Sequence, residues 1–193
     1  MDHSAVLPET PSQTAGPYLH IGLAPEGAGI RPWSAPTAAA SPIGPATPGR
    51  HLRLLLELLD GQGAPLHDAL IEIWQADATG RHAPKTNAPE FTGFARLLPD
   101  PAGAFTLQTI RPGTVEGQAP HLTLWIIARG LNLGLHTRVY FPEDAALFGD
   151  DPVLSRIERP ERRATLIAGA MGQDAYRHRI HLQGDRETVF LDI

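Results

Sequence analysis

From Leu52 to the C-terminus the chain is a succession of short apolar runs, each stopped by Gly, Pro or an Asp-containing turn. Runs this brief bury little as amphipathic helices, so the segment has to hide its apolar residues in strands. The first, LRLLLELL, reads as a strand in spite of its leucines, because it ends at Asp60-Gly61 and DGQGAP follows as a hairpin turn. Residues 70–76 (LIEIWQA) alternate Leu70 and Glu72 against Ile71, Ile73 and Gln75. Residues 94–98 and 105–110 flank DPAGA, a second hairpin signal. Residues 121–128 (HLTLWIIA) form the most apolar run, expected in the centre of a sheet with 133–141 beside it. Between 142 and 157 a short helix is expected, with Pro152 suited to its first position. Residues 176–183 and 188–193 alternate again and are expected to close the chain as strands. About eight strands without a strand-helix repeat predict an all-β fold, a two-sheet antiparallel β-sandwich with short helical excursions.

The first 49 residues differ in kind. They carry nine of the 19 prolines and a small-residue run at 35–40, so regular helix or central strand is disfavoured. This reading divides the chain into an extended N-terminal arm, 1–49, and a sandwich domain, 50–193. An arm so poor in periodic apolar positions gains order by lying across another surface.

Several function classes are disfavoured. A net charge of −5 with scattered Lys and Arg leaves no footprint for nucleic acid; the one basic group, Arg159, Arg162 and Arg163, is interleaved with Glu158 and Glu161. The apolar run at 122–128 is far shorter than the ~20 residues that span a bilayer, so no membrane role is expected. There is no cysteine and no leader-like N-terminus, which suits a cytoplasmic protein. Nine histidines raise the question of a metal, yet His178 and His181 fall on opposite faces of a strand. There is no HExxH, G-x-S-x-G or P-loop. Trp74 and Trp125, on apolar strands, are expected in the core.

Four segments carry a more specific signal: LPETPSQTAGPY (7–18), DALIEIWQADATGRH (68–82), FTLQTIRPG (105–113) and APHLTLWIIARG (119–130). In this order, and on to the terminal ETVFLDI, the chain resembles the intradiol ring-cleaving dioxygenases of the protocatechuate 3,4-dioxygenase type, built from homologous α and β chains. The resemblance implies the intradiol β-sandwich and O2-dependent cleavage of protocatechuate to 3-carboxy-cis,cis-muconate. The family's catalytic β chain holds a non-haem ferric ion, Fe(III), with two tyrosines and two histidines. Here the stretch 81–93, where the first tyrosine belongs, has none, and Thr114, Val115 and Glu116 stand where the second belongs. Of the two histidines His121 survives, a possible remnant of one ligand, and Thr123 replaces the other.

The pattern is therefore similar to the iron-free α chains, as are the opening segment and the Ala128-Arg129-Gly130-Leu131-Asn132 stretch. Such a chain completes the active site of a partner β subunit that holds the iron, and is not active alone. Its implied substrate-binding residues are Thr14, Gly16, Pro17 and Arg129, the last toward the substrate carboxylate; no complete catalytic or metal set is expected in this chain. Two alternatives stand beside this reading: a non-catalytic β-sandwich binding or structural module, and a self-sufficient hydrolase with an unrecognised metal site.

Overall fold

Alternation in the first run sets the architecture. In β1 (His51–Leu59) Leu52, Leu54, Leu56 and Leu58 are buried while the residues between them face outward, as period-2 side chains on a pleated strand must. The computed structural model describes residues 14–25, 29–30, 41–82 and 90–192. After a short helix α1 (Pro17–Leu23) and β1 come β2 (Ala69–Trp74), β3 (Phe94–Leu97), β4 (Ala104–Ile110), β5 (His121–Ala128), β6 (Leu135–Tyr140), α2 (Pro160–Ala164), β7 (Gly169–Ala170) and β8 (Ala175–His181). They form two four-stranded sheets, ordered β4-β1-β8-β7 and β3-β2-β5-β6. The core lies between them: Leu54, Leu56, Phe105, Leu107 and Tyr176 from one sheet meet Ile71, Ile73, Leu122, Leu124 and Val139 from the other. The sandwich expected from the short runs is present, with β5 central and β6 beside it. No helix among the described residues is long and apolar enough to cross a membrane.

Four local expectations are corrected. The DGQGAP turn closes a hairpin of a single bridge, Leu59 to Pro65, but does not pair β1 with β2: β1 pairs with β4 and β8, and β2 with β3 and β5. Likewise β3 and β4 flank DPAGA yet lie in different sheets. Both loops are corners. Asp60 and Asp100 each accept backbone N–H groups from residues two and four further on, at 2.8–2.9 Å, and Gly63 and Gly103 sit at φ +83° and +82°. Asp77 and Gly80 repeat the device. Pro65 and Pro99 flank these loops; at the first, the ladder runs only one bridge out of the turn, Leu59 to Pro65, with Leu66 N–H donating to Leu58 O at 2.9 Å.

The third correction is that β1 and β8 run parallel, so the first sheet is mixed rather than wholly antiparallel. The fourth is the C-terminal segment, which is extended but joins the ladder only at one bridge, His136 to Leu191. Side chains hold the backbone between: Thr137 Oγ1 donates to Val189 O and Val189 N–H donates to Thr165 Oγ1, while Thr188 N–H donates to His181 O. The helical excursion takes the form of two 3-10 turns, Pro142–Leu147 and Leu154–Arg156, so helical turns follow Pro142 as well as Pro152.

Candidate functional site

The outer face of the second sheet carries both groups of residues singled out in the sequence. At one end α1 lies across it, with Leu19, Leu23 and Ala24 against Leu70, Ile127, Leu98 and Trp125. This is why β2 is buried on both faces. Arg96 holds the far end of the helix: its Nη1 donates to Leu23 O (3.1 Å), a terminal carbonyl without a helical partner, and its Nε to Glu72 (2.7 Å). At the near end Thr14 Oγ1 accepts the Gly130 N–H at 2.7 Å. Gly130 has φ +90°, a conformation that suits glycine.

Thr14 and the turn bearing Arg129 are thus brought together, and between them lies a pocket of about 180 Å3 walled by Thr14, Ala15, Leu19, Trp125, Leu131 and Leu133. Gly16 and Pro17 follow directly: Gly16 O accepts the Leu19 N–H (3.1 Å), and Pro17 is the first residue of α1. Gly16 is not among the residues lining the pocket. A Cβ added to Gly16 would meet nothing within 4 Å among the described residues. Arg129 is exposed and makes no ion pair among the described residues. Tyr18 and Leu133, 85% and 70% exposed, are the most exposed large apolar side chains among those residues.

Beyond the reach of α1 the same face carries His121, the expected remnant of one ligand, and Thr123. Residues 121 and 123 point to one side of β5, and β6 places Arg138 directly opposite Thr123 and Tyr140 opposite His121. His121 Nδ1–H donates to Ala119 O (2.8 Å), which leaves the lone pair on Nε2, and its ring lies 5.5 Å from that of Tyr140. Burial, with the Arg138 charge adding to it, pushes the His121 imidazole down to about 4, so it is neutral at pH 7. Arg138 Nη1 donates to Gln118 Oε1 (2.6 Å) and to the Tyr140 hydroxyl (3.2 Å). Burial pushes the Tyr140 phenol up to about 12, so it stays protonated. One imidazole, a protonated phenol and a guanidinium do not fit ferric iron, which needs several convergent anionic or neutral donors. Among the described residues no three His, Cys, Asp or Glu side chains gather as a metal site.

Trp74 is corrected: it is 40% exposed on this face, opposite Thr123, with Phe94 at 5.1 Å. The reason is the length of α1, which covers the rows of Leu70 and Glu72 and stops short of Trp74. Trp125, half-buried, packs under α1 and stacks on His136. His178 is buried and His181 half-buried on the opposite face of β8. Arg138, Gln118 and Tyr140 were missed in the sequence because they become neighbours of His121 only through the β5-β6 register. Their one visible signal is the alternation of HTRVY against the apolar run before it.

A family model described as Dioxygenase matches residues 34–120. The chain is 45% identical to the protocatechuate 3,4-dioxygenase alpha chain of Pseudomonas putida, covering 97% of this chain and 98% of that one. It is 38% identical, with the same coverage, to the alpha chain of Burkholderia cepacia. Against the beta chain of Burkholderia cepacia the identity is 30% over 118 residues, 54% of this chain and 50% of that one. Among solved structures, the dioxygenase domain of a carbohydrate-binding fusion protein from a cellulolytic Streptomyces superposes with a TM-score of 0.61 at 21% identity, covering 93% of this chain and all of that one. The 3-chlorocatechol 1,2-dioxygenase of Rhodococcus opacus does so at 0.58 and 24% identity, covering 78% of this chain and 68% of that one. These likenesses share the fold.

Proposed function

This chain belongs to the protocatechuate 3,4-dioxygenase alpha-chain family of intradiol dioxygenases, and from that premise we propose that it is the iron-free subunit of such an enzyme, paired with a homologous β chain. The reaction of the pair is cleavage of protocatechuate between its two hydroxyl-bearing carbons, with both atoms of O2 entering 3-carboxy-cis,cis-muconate. When bound in the β chain, ferric iron supplies activation of the catecholate ring toward dioxygen. This chain contributes walls and charge. Residues 1–49 act as the arm and 50–193 as the sandwich body, and a cytoplasmic location suits a chain without cysteine.

The observation that carries this reading is the joint between arm and turn: the Thr14 bond to Gly130 aligns the 14–17 segment with Arg129, which has no partner within the described residues. An unpaired cation at Arg129 and the exposed apolar Tyr18 and Leu133 are features suited to cover by another subunit. In the pair, Thr14, Gly16 and Pro17 line the edge of the partner's substrate pocket. Gly16 has open space among the described residues where a Cβ would stand, room for substrate or partner to approach its backbone.

The full chain, purified alone, is expected to hold no stoichiometric iron and to lack the colour of tyrosinate-to-iron charge transfer. Co-expression with an iron-bearing β chain is expected to yield an active complex. One tightly held iron per chain in the protein purified alone would overturn the assignment.

Arg129 faces the substrate's ring carboxylate in this proposal. A charge-assisted hydrogen bond of that kind contributes about 1.5 to 3 kcal/mol, roughly tenfold to a hundredfold in affinity. Arg129→Ala in the complex is accordingly expected to raise KM for protocatechuate by about that factor, with iron content unchanged. Turnover of catechol, which has no carboxylate, should change far less. Equal losses for both substrates, with loosening of the complex on gel filtration, would assign Arg129 to the turn or the interface instead.

A further inference from the structure

We propose that Arg138 closes this chain's remnant site to metal ions, so that the loss of metal affinity rests on an added cation as well as on absent ligands. This deepens the reading of the chain as the iron-free subunit. His121 argues that ligand loss is not the whole account. Its Nδ1–H is held by Ala119 O at 2.8 Å, and its Nε2 is presented as a bare lone pair. A ligating imidazole adopts this tautomer, with the non-coordinating nitrogen donating to a carbonyl or carboxylate. The surviving side chain is still in ligand form.

What faces it is a guanidinium. Thr123 occupies the next outward position on β5, and residues i and i+2 of a strand present their side chains to one side. A histidine at 123 would therefore put two imidazoles within reach of one ion. Arg138 stands directly opposite Thr123 on β6, where directly opposed residues have Cβ atoms about 4.5 to 5.5 Å apart. Its head is fixed by Gln118 (2.6 Å) and by the Tyr140 hydroxyl (3.2 Å), and the Tyr140 ring lies against that of His121, 5.5 Å away and tilted by 37°. The Arg138 Nε is buried and has no hydrogen-bond partner among the described residues. A permanently charged side chain held beside the ligand position repels a divalent ion at short range, in a setting that water screens poorly.

The test is a titration of the full chain with Co2+ alone, followed by calorimetry and by the visible Co2+ bands. Thr123→His by itself is expected to bind Co2+ hardly better than the wild type. Thr123→His with Arg138→Gln should bind at least tenfold tighter than Thr123→His. Adding Arg138→Lys instead, which keeps the charge without the planar fork, should leave affinity near that of the single variant. Arg138→Met serves as a second neutral replacement should Gln disturb the fold, and thermal melts check each protein. Equal Co2+ affinity in Thr123→His and its neutral double variants would overturn the proposal, as would Arg138→Lys binding as tightly as Arg138→Gln. Since this readout concerns only this chain, its failure is distinguishable from finding iron in the wild-type chain purified alone.

Discussion

Replacing Asp151 by alanine is expected to destabilise the chain by about 3 to 5 kcal/mol, a large share of the roughly 5 to 15 kcal/mol that holds a domain of this kind folded. Asp151 is fully buried. Its Oδ1 accepts the N–H groups of Val153 (2.8 Å) and Leu154 (2.9 Å), and its Oδ2 that of Ala119 (2.9 Å). The Tyr140 hydroxyl also donates to it, at 3.4 Å. Alanine would strand these donors where water does not reach, each at a cost of about 1 to 3 kcal/mol, not fully additive. The damage would extend to the remnant site, because Ala119 is the residue whose carbonyl holds His121. Asp151→Asn keeps one oxygen acceptor and should lose less. Urea unfolding of the three proteins checks this, and a loss below about 1 kcal/mol for alanine would show that the loop relaxes around the gap.

The second large effect is with pH. His178 is 3% exposed, and burial pushes its imidazole down from 6.5 to about 4, against a partial opposing contribution from its bond to Ile167 O. A folded-state value depressed below the unfolded one leaves stability intact above pH 6.5. As pH falls from 6.5 toward 4 the unfolded chain takes up a proton that the folded chain refuses, and stability drains away. A shift of this size is worth about 3 kcal/mol. His121 is displaced in the same direction and adds to the loss in the same window. Unfolding midpoints should therefore fall steeply between pH 6.5 and 4. His178→Phe is expected to begin less stable at pH 7, by about 1 kcal/mol for the lost bond to Ile167 O. It should also show a visibly flatter slope; an unchanged slope would count against His178 as its source.

Much of this molecule was legible from alternation. The buried Leu52, Leu54, Leu56 and Leu58 follow from the period of LRLLLELL, and β5 in a sheet centre from the apolar run after His121. Trp74 was misjudged because period 2 tells which residues share a face and not whether something covers that face. The D-x-x-G loops at Asp60 and Asp100 are legible as turns, and the first even closes one bridge, Leu59 to Pro65; that the strands they join pair elsewhere is not, because local bonds reverse the chain within five residues while the apolar surface the next strand meets decides where it docks. Among the proposed substrate contacts, Thr14 and Arg129 were named from the resemblance, yet nothing in their spacing announces the bond from Gly130 to Thr14 across more than a hundred residues.

What the sequence alone determined is chemical and local: no cysteine, no tyrosine at 81–93 or 114–116, threonine at 123 where a ligand would stand, and strands whose inner faces are apolar. These are properties of residue type and short-range period, and folding does not alter them. The tertiary structure decided which strands are neighbours: β8 parallel to β1, α1 across Leu70 and Ile127, and Arg138 opposite Thr123. Strand pairing is non-local, selected by how two apolar faces fit and where the intervening loops let the chain return, so the cation beside His121 exists only once β5 and β6 have set their register.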